Sequence, residues 1–201
     1  MANTFKQAYH EVGVPAGLPA ECEAMFAAWY DLLVRWNAKI NLTRVAEPVR
    51  AVAYHLADGV PLAKALEPGA TLLDVGAGVG IPGLIVAALR SDCVVTLVES
   101  SAKKAAFLTQ AVSAMKLTNA RVVDARAETL RERFDVVAAR AVDKPVALAS
   151  DFGHLIKADG RLAVFLAEAD PPLPDGWQIK QEIRYVLPAG EGPRRLLLLH
   201  R

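Results

Sequence analysis

Three glycines at alternate positions, Gly76, Gly78 and Gly80, follow a short apolar run, Thr71-Leu-Leu-Asp-Val75, and precede Ile81-Pro82-Gly83. Glycine has no Cβ, so such a loop turns sharply and lets its backbone come close to a ligand. A buried strand ending in this loop, with a helix after it, sets the loop at the edge where open α/β sheets bind ligands. Spacing narrows the choice of ligand. A dinucleotide fingerprint counted from Gly76 and Gly78 needs a third glycine at position 81, which is Ile81. The chain has no Gly-Lys-Ser/Thr, so a P-loop is excluded. Glu99 directly follows a second apolar run, Cys93 to Val98. A carboxylate there accepts hydrogen bonds from both ribose hydroxyls, which points to an adenosine moiety and leaves the rest of the cofactor open. After a third run comes Asp124-Ala-Arg-Ala-Glu128, where Ala127 and Glu128 offer backbone or carboxylate partners to an adenine edge.

The elements that must position these residues alternate from Thr71 onward. Strands are expected at Thr71–Val75, Cys93–Val98, Ala120–Asp124, Phe134–Ala139 and Arg161–Leu166. Helices are expected from Ile81 to Arg90, with Pro82 in the first turn where no amide donor is needed, from Ser101 to Met115, and from Pro145 to Ile156. Two last strands, near Trp177 to Leu187 and Arg194 to His200, flank Pro188-Ala-Gly-Glu-Gly-Pro193, a loop suited to an antiparallel hairpin. Alternation implies a doubly wound, mostly parallel sheet covered on both faces. The closing hairpin departs from a pure Rossmann pattern and is the ending expected of seven-stranded, class I methyltransferases of the α/β class. Ahead of the sheet, Cys22, Met25, Phe26, Trp29, Leu32, Leu33 and Trp36 recur at helical spacing, and Arg44 to Leu56 contains a second possible helix. Residues 1–66 are therefore read as a helical cap and 67–201 as the cofactor-binding domain, packed as one compact unit.

Composition adds exclusions. With 53% hydrophobic and 22% charged residues the chain is globular, and its apolar runs are too short and interrupted to span a bilayer. No basic stretch followed by an apolar core opens the chain, so a cytoplasmic protein is expected. Cys22 and Cys93 stand in no metal-ligand spacing and read as small core residues; no metal is expected. A net charge of +1 neither points to nucleic acid nor excludes it.

Beyond these features the chain resembles the RsmG/GidB family of bacterial methyltransferases. The resemblance is carried by Trp36-Asn-Ala-Lys-Ile-Asn-Leu-Thr43, His55-Leu-Ala-Asp58, Asp74 through Gly83, and Leu97-Val-Glu-Ser100 with Lys103-Lys104 and Phe107-Leu108. It continues in Arg126-Ala-Glu128 and Ala139-Arg-Ala-Val142. It implies S-adenosylmethionine as cofactor and methylation of guanine N7 in small-subunit (16S) ribosomal RNA. The net charge of only +1 points to an assembled or assembling particle rather than bare RNA as substrate, and a monomer is the default expectation. Gly76, Gly78, Ile81, Glu99, Ala127, Glu128 and Arg140 are the implied cofactor-site residues, with Ala127 and Glu128 flanking adenine. Arg140, at the end of the fourth strand, is the implied catalytic residue, serving substrate or transition state. Its structural alternative is an ion pair with Glu128 or Asp143. His55, Asp58 and Arg126 are candidate substrate residues, an ordinary cap and core role being the alternative for the first two. Arg44, Arg50, Lys103, Lys104 and Arg126 are candidate RNA contacts. The chain departs from the family's His-x-x-Asp-Ser at Gly59, has Leu166-Ala167 where a Lys-Gly is usual, and keeps Arg194-Arg195 of a basic C-terminal hairpin.

Guanine N7 has an in-plane lone pair and no proton, so its methylation needs positioning and exclusion of water rather than a general base. Two rival readings differ in class. One is a methyltransferase of the same fold acting on another RNA site or a small molecule. The other is a non-catalytic RNA-binding ribosome-assembly factor, against which the intact glycine loop and Glu99 argue.

Overall fold

The computed structural model describes residues 4–140, 145–167 and 172–201. One sheet contains β1 (Thr71–Val75), β2 (Val94–Glu99), β3 (Ala120–Asp124), β4 (Phe134–Ala139), β5 (Ile156–Leu166), β6 (Gln178–Leu187) and β7 (Gly192–His200). Their order is β3-β2-β1-β4-β5-β7-β6. The first five strands are parallel, and β7 runs antiparallel to both β5 and β6. This is the class I methyltransferase sheet that the strand pattern and closing hairpin anticipate.

The helices are α1 (Phe5–Ala8), α2 (Glu23–Ile40), α3 (Pro48–Arg50), α4 (Ala57–Ala65), α5 (Gly83–Leu89), α6 (Ala102–Ala114) and α7 (Pro145–Phe152). Successive strand residues point to opposite faces. Leu72 joins one core layer with Phe26, Trp29, Leu84 and Phe107, which brings the amino-terminal helices together with α5 and α6. Leu73 joins the other with Val137, Leu148 and Phe152, under α7. Burial on both faces is why the strands read as apolar runs without alternation. Among the described residues no helix is long and apolar enough to cross a membrane.

Several boundaries move. The helix expected from Ile81 begins at Gly83, because the buried Asp74 carboxylate accepts the Gly83 amide at 2.8 Å and pins the first turn there. The helix expected to reach Ile156 ends at Phe152, and β5 starts at Ile156. Its opening residues pair through a register shift between Phe134 and Val136, a bulge that apolar runs do not signal. Arg44 to Leu56 is helical only from Pro48, and the helix continues to Ala65 through a wide π-helical turn, Ala51–Leu56. The motif Trp36 to Thr43 is turn machinery. Asn41 closes α2 in the left-handed region (φ 50°), Asn37 Oδ1 accepts the Thr43 amide at 2.8 Å, and Thr43 Oγ1 accepts the Val45 amide at 3.0 Å.

A buried bond ties α2 to the glycine loop: Trp29 Nε1 donates to the Val79 carbonyl at 2.9 Å. Trp29→Phe leaves that carbonyl without its donor and is expected to cost about 1–3 kcal/mol. At roughly 2–4 °C per kcal/mol for a domain of this size, calorimetry should register a fall of several degrees. An unchanged Tm would show that the bond does not tie the two parts.

Candidate active site

Strand register sets the site. Val75 of β1 lies beside Val98 of β2 and Ala139 of β4. The residues that follow these three are Gly76, Glu99 and Arg140, so they emerge at one level on the carboxyl edge. β1 is flanked there by β2 and β4, whose connections diverge, which is the switch point where such sheets bind ligands.

The loop is anchored from β2. The Gly76 and Ala77 amides donate to the Val98 carbonyl at 2.9 and 3.1 Å. Glu99 is buried and oriented by two amides: Oε2 accepts from Gly78 at 3.1 Å, and Oε1 from Ser101 at 2.9 Å. Each oxygen keeps acceptor capacity, so the carboxylate can still receive ribose hydroxyls. Gly76 and Gly78 have φ of 64° and 56°, and a Cβ at either would enter open space, apart from the Gly76 carbonyl 3.7 Å from that of Gly78. That is the space a bound cofactor would fill. Gly80 is different, since a Cβ there would collide with Leu84 at 2.2 Å, so its role is packing.

Asp74 is the acid that spacing rules did not single out. Its Oδ1 is buried with no hydrogen-bond partner among the described residues. Burial pushes its carboxyl up to about 7, against the pull of the Gly83 amide and Arg140. A buried acceptor beside a glycine cradle fits the cationic amino-acid end of S-adenosylmethionine, and Glu99 fits its ribose. Of the other implied residues, Ile81 is buried in the main core, and Ala127 is buried at the start of a short turn, Ala127–Thr129. Glu128 and Arg126 are exposed, without a side-chain hydrogen bond or ion pair among the described residues.

Arg140 departs from expectation in its partners. It pairs not with Glu128 but with Asp58, Nε to Oδ2 at 2.7 Å, and Asp143 lies outside the described residues. Side-chain exposure is 14% for Arg140 and 3% for Asp58. Arg140 Nη2 donates to the Tyr54 carbonyl at 2.6 Å, and Nη1 faces His55 Nδ1 at 3.3 Å. The guanidinium also lies 4.6 Å from the centre of the Tyr54 ring. Since arginine only donates, His55 Nδ1 accepts; His55 Nε2 then carries the proton and donates to the Val45 carbonyl at 3.0 Å. Burial, and then Arg140, push the His55 pKa down to about 3, so the ring is neutral. His55 and Asp58 therefore hold Arg140, and Arg140 serves the fold as well as any ligand. Its removal would strand a buried carboxylate.

Tyr54 and Tyr185 are the residues that sequence reasoning missed. Tyr54 adjoins a motif residue, His55. Tyr185 carries no local signal, because the partner of its hydroxyl, Asp58, is 127 positions away. A cleft of about 630 Å³ lined by Arg133, His154, Lys157 and Trp177 lies at the amino ends of β4 and β5, the opposite edge from this site. Size alone therefore does not locate the chemistry. Among the described residues no group of three or more His, Cys, Asp or Glu is placed to hold a metal ion.

A family model described as GidB, rRNA small subunit methyltransferase G, matches residues 22–170. The chain belongs to this family. Ribosomal RNA small subunit methyltransferase G of Xanthomonas campestris pv. campestris (strain B100) is 38% identical, over 92% of this chain and 89% of its own. The protein of the same description from Stenotrophomonas maltophilia (strain K279a) is 36% identical, over 98% and 93%. Solved structures agree on the fold. A mutant of MtNAS in complex with S-adenosylmethionine aligns with TM-score 0.61 and 16% identity, over 98% of this chain and 84% of that one. A SAM-dependent methyltransferase from Aquifex aeolicus aligns with TM-score 0.59 and 14% identity, over 80% and 97%. This GidB-family chain thus carries the glycine loop and acidic strand end on a methyltransferase fold.

Two outcomes test the site. Gly78→Ala pays only the left-handed backbone cost of roughly 1–2 kcal/mol. It should nonetheless weaken S-adenosylmethionine binding about tenfold or more in titration calorimetry, by filling the cradle. Binding equal to wild type would move the site elsewhere. Asp74 gives a pH signature. Its raised folded pKa means that stability present below pH ~4 is lost as pH rises through 7. A cationic ligand favours the charged carboxylate, so affinity should rise about tenfold between pH 6 and 8 as one proton is released. Asp74→Asn should flatten that profile, weaken binding and raise the Tm at pH 8. A pH-dependent affinity that survives in Asp74→Asn would assign the proton to another group.

Proposed function

We propose that this chain transfers a methyl group from S-adenosylmethionine to N7 of a guanine in small-subunit ribosomal RNA, within an assembled or assembling particle. The observation that carries the choice of atom is the state of His55. Both its ring nitrogens are engaged and it is neutral, so the histidine of this site is spent on holding Arg140 rather than on moving a proton. Chemistry that needs no base fits, and N7 offers a lone pair without a proton. The cofactor, when bound, supplies the electrophilic methyl. Gly76 and Gly78 would let it lie against the loop backbone, Glu99 would accept its ribose hydroxyls, Asp74 would face its amino-acid end, and Ala127 with Glu128 would flank adenine. Arg140 has five N–H groups, three of them engaged, which leaves two for guanine O6 or a flanking phosphate.

Charge supports a shaped substrate over bare RNA. Arg50 is tied to Glu191, with Nε 2.5 Å from Oε1, and Arg195 is held by Glu182 at 2.8 Å. Arg44, Lys103 and Arg126 are exposed without ion pairs among the described residues. With a net charge of only +1 and part of the basic surface already ion-paired, a small counterion-release term is expected, and recognition falls to folded RNA with an unstacked guanine.

Mapping N7-methylguanine in ribosomal RNA from cells with and without the gene tests the proposal, and an unchanged map would refute it. In vitro, assembled small subunits should be methylated well and protein-free RNA poorly. Activity at subsaturating substrate should fall less than about 100-fold between 50 and 200 mM salt, against the ~10³–10⁵ expected for six to ten phosphate contacts. Equal activity on naked RNA with a steep slope would expose a concentrated basic face instead.

A further inference from the structure

Tyr185 sits on β6, the outermost strand beyond β7. Along β6, Ile183, Tyr185 and Leu187 turn inward while Arg184 and Val186 turn out. A phenylalanine would meet that burial pattern equally well. The hydroxyl does something further: it donates to Asp58 Oδ1 at 2.5 Å, while Asp58 Oδ2 accepts from Arg140 Nε at 2.7 Å.

The pairing geometry says why this matters. An arginine and a carboxylate that meet through two parallel bonds orient one another. Here Asp58 receives only Nε, because Nη2 is given to the Tyr54 carbonyl. A single-point contact leaves the carboxylate free to turn about its last torsion. The second oxygen must be fixed from elsewhere, and the Tyr185 hydroxyl is the group that fixes it. Burial of Asp58 makes the requirement strict, since a carboxylate oxygen that loses its donor here has little water to replace it.

We infer that Tyr185 is a positioning residue of the methyl-transfer site, setting the Asp58 carboxylate so that Arg140 presents its two remaining N–H groups to the substrate. The inference rests on Arg140 serving the substrate in the proposed reaction. It also links the β6–β7 hairpin to the site, because Arg194 of β7 lies 5.9 Å from the centre of the same Tyr54 ring that Arg140 covers.

The test is Tyr185→Phe, which keeps the packing and removes the hydroxyl. Exchange of the Arg140 Nε–H with solvent, followed by nitrogen-15 NMR and assigned by its loss in Arg140→Lys, should speed up about tenfold. S-adenosylmethionine affinity should stay within about twofold, while kcat on small subunits falls about tenfold. In an Arg140→Lys background Tyr185→Phe should add little, whereas a general loss of stability would add in full. Unchanged Nε–H exchange, or additive losses in the double variant, would overturn the inference. A wild type that binds cofactor but transfers no methyl would defeat the proposed function instead, and the exchange measurement would still decide whether Tyr185 holds Arg140.

Discussion

A guanidinium and a carboxylate taken out of water are stable together only when nearly every polar atom between them is matched. Arg140 and Asp58 meet that condition by drawing on four parts of the chain. β4 delivers Arg140 at the carboxyl edge, the π-helical turn brings the Tyr54 carbonyl and His55, α4 contributes Asp58, and β6 brings the Tyr185 hydroxyl. Further back, the Val45 carbonyl fixes the tautomer of His55, and Thr43 with Asn37 fixes the turn that carries Val45. The amino-terminal helices are therefore part of the site. They reach the glycine loop through Trp29 and reach Arg140 through His55 and Asp58.

The same pairing shapes the chemistry. In the proposed reaction guanine becomes cationic as N7 takes a methyl group, so an uncompensated arginine beside it would raise the barrier. Asp58 balances that charge at 2.7 Å, and His55 is kept neutral by burial and by Arg140 itself. What remains for the substrate is a pair of directed donors in a nearly neutral surrounding. Such a site favours geometry over field strength, as expected where catalysis is mostly alignment. Asp74 works the other way. Its desolvated carboxylate weakens the fold near neutral pH, a cost that a cationic ligand bound there would offset.

What could be read from the sequence follows physical range. β1 and the glycine loop, Glu99, β3 and the closing hairpin were legible because each depends on neighbours within a few residues: apolar runs, missing Cβ atoms, turn formers. Arg140 stood out as a charge directly after a buried strand. Its partners did not, because Asp58 and Tyr185 lie 82 and 127 positions apart from the residues they bind. The sequence offered Glu128 as a partner because it is near in the chain, and tertiary packing brought Asp58 instead; Asp143, the other candidate, lies outside the described residues. The bulge that starts β5 at Ile156 and the π turn at Ala51–Leu56 were invisible for a related reason. Both are departures from regular period, tolerated because surrounding contacts hold them.

The departures from the family pattern also have physical causes. A Cβ at Gly59 would meet Ile85 Cβ and Cγ1 at 2.7 Å, so the serine usual at that position has no room while α5 packs this closely on α4. Glycine there goes with the bulky residue opposite. Leu166, standing where the resemblance implies lysine, is buried at the end of β5. Its cross-strand neighbour in the β5–β7 register is Arg195, and paired residues of antiparallel strands share a face. A cation is thus still present at that corner of the sheet, supplied by β7 and engaged by Glu182. The corner thus keeps the hairpin's arginine, partly compensated, without the lysine. In the proposed function this bears on how RNA would be gripped near the hairpin; the glycine loop and Glu99 lie away from it on β1 and β2, whereas the Arg140 network reaches it through Tyr185 of β6.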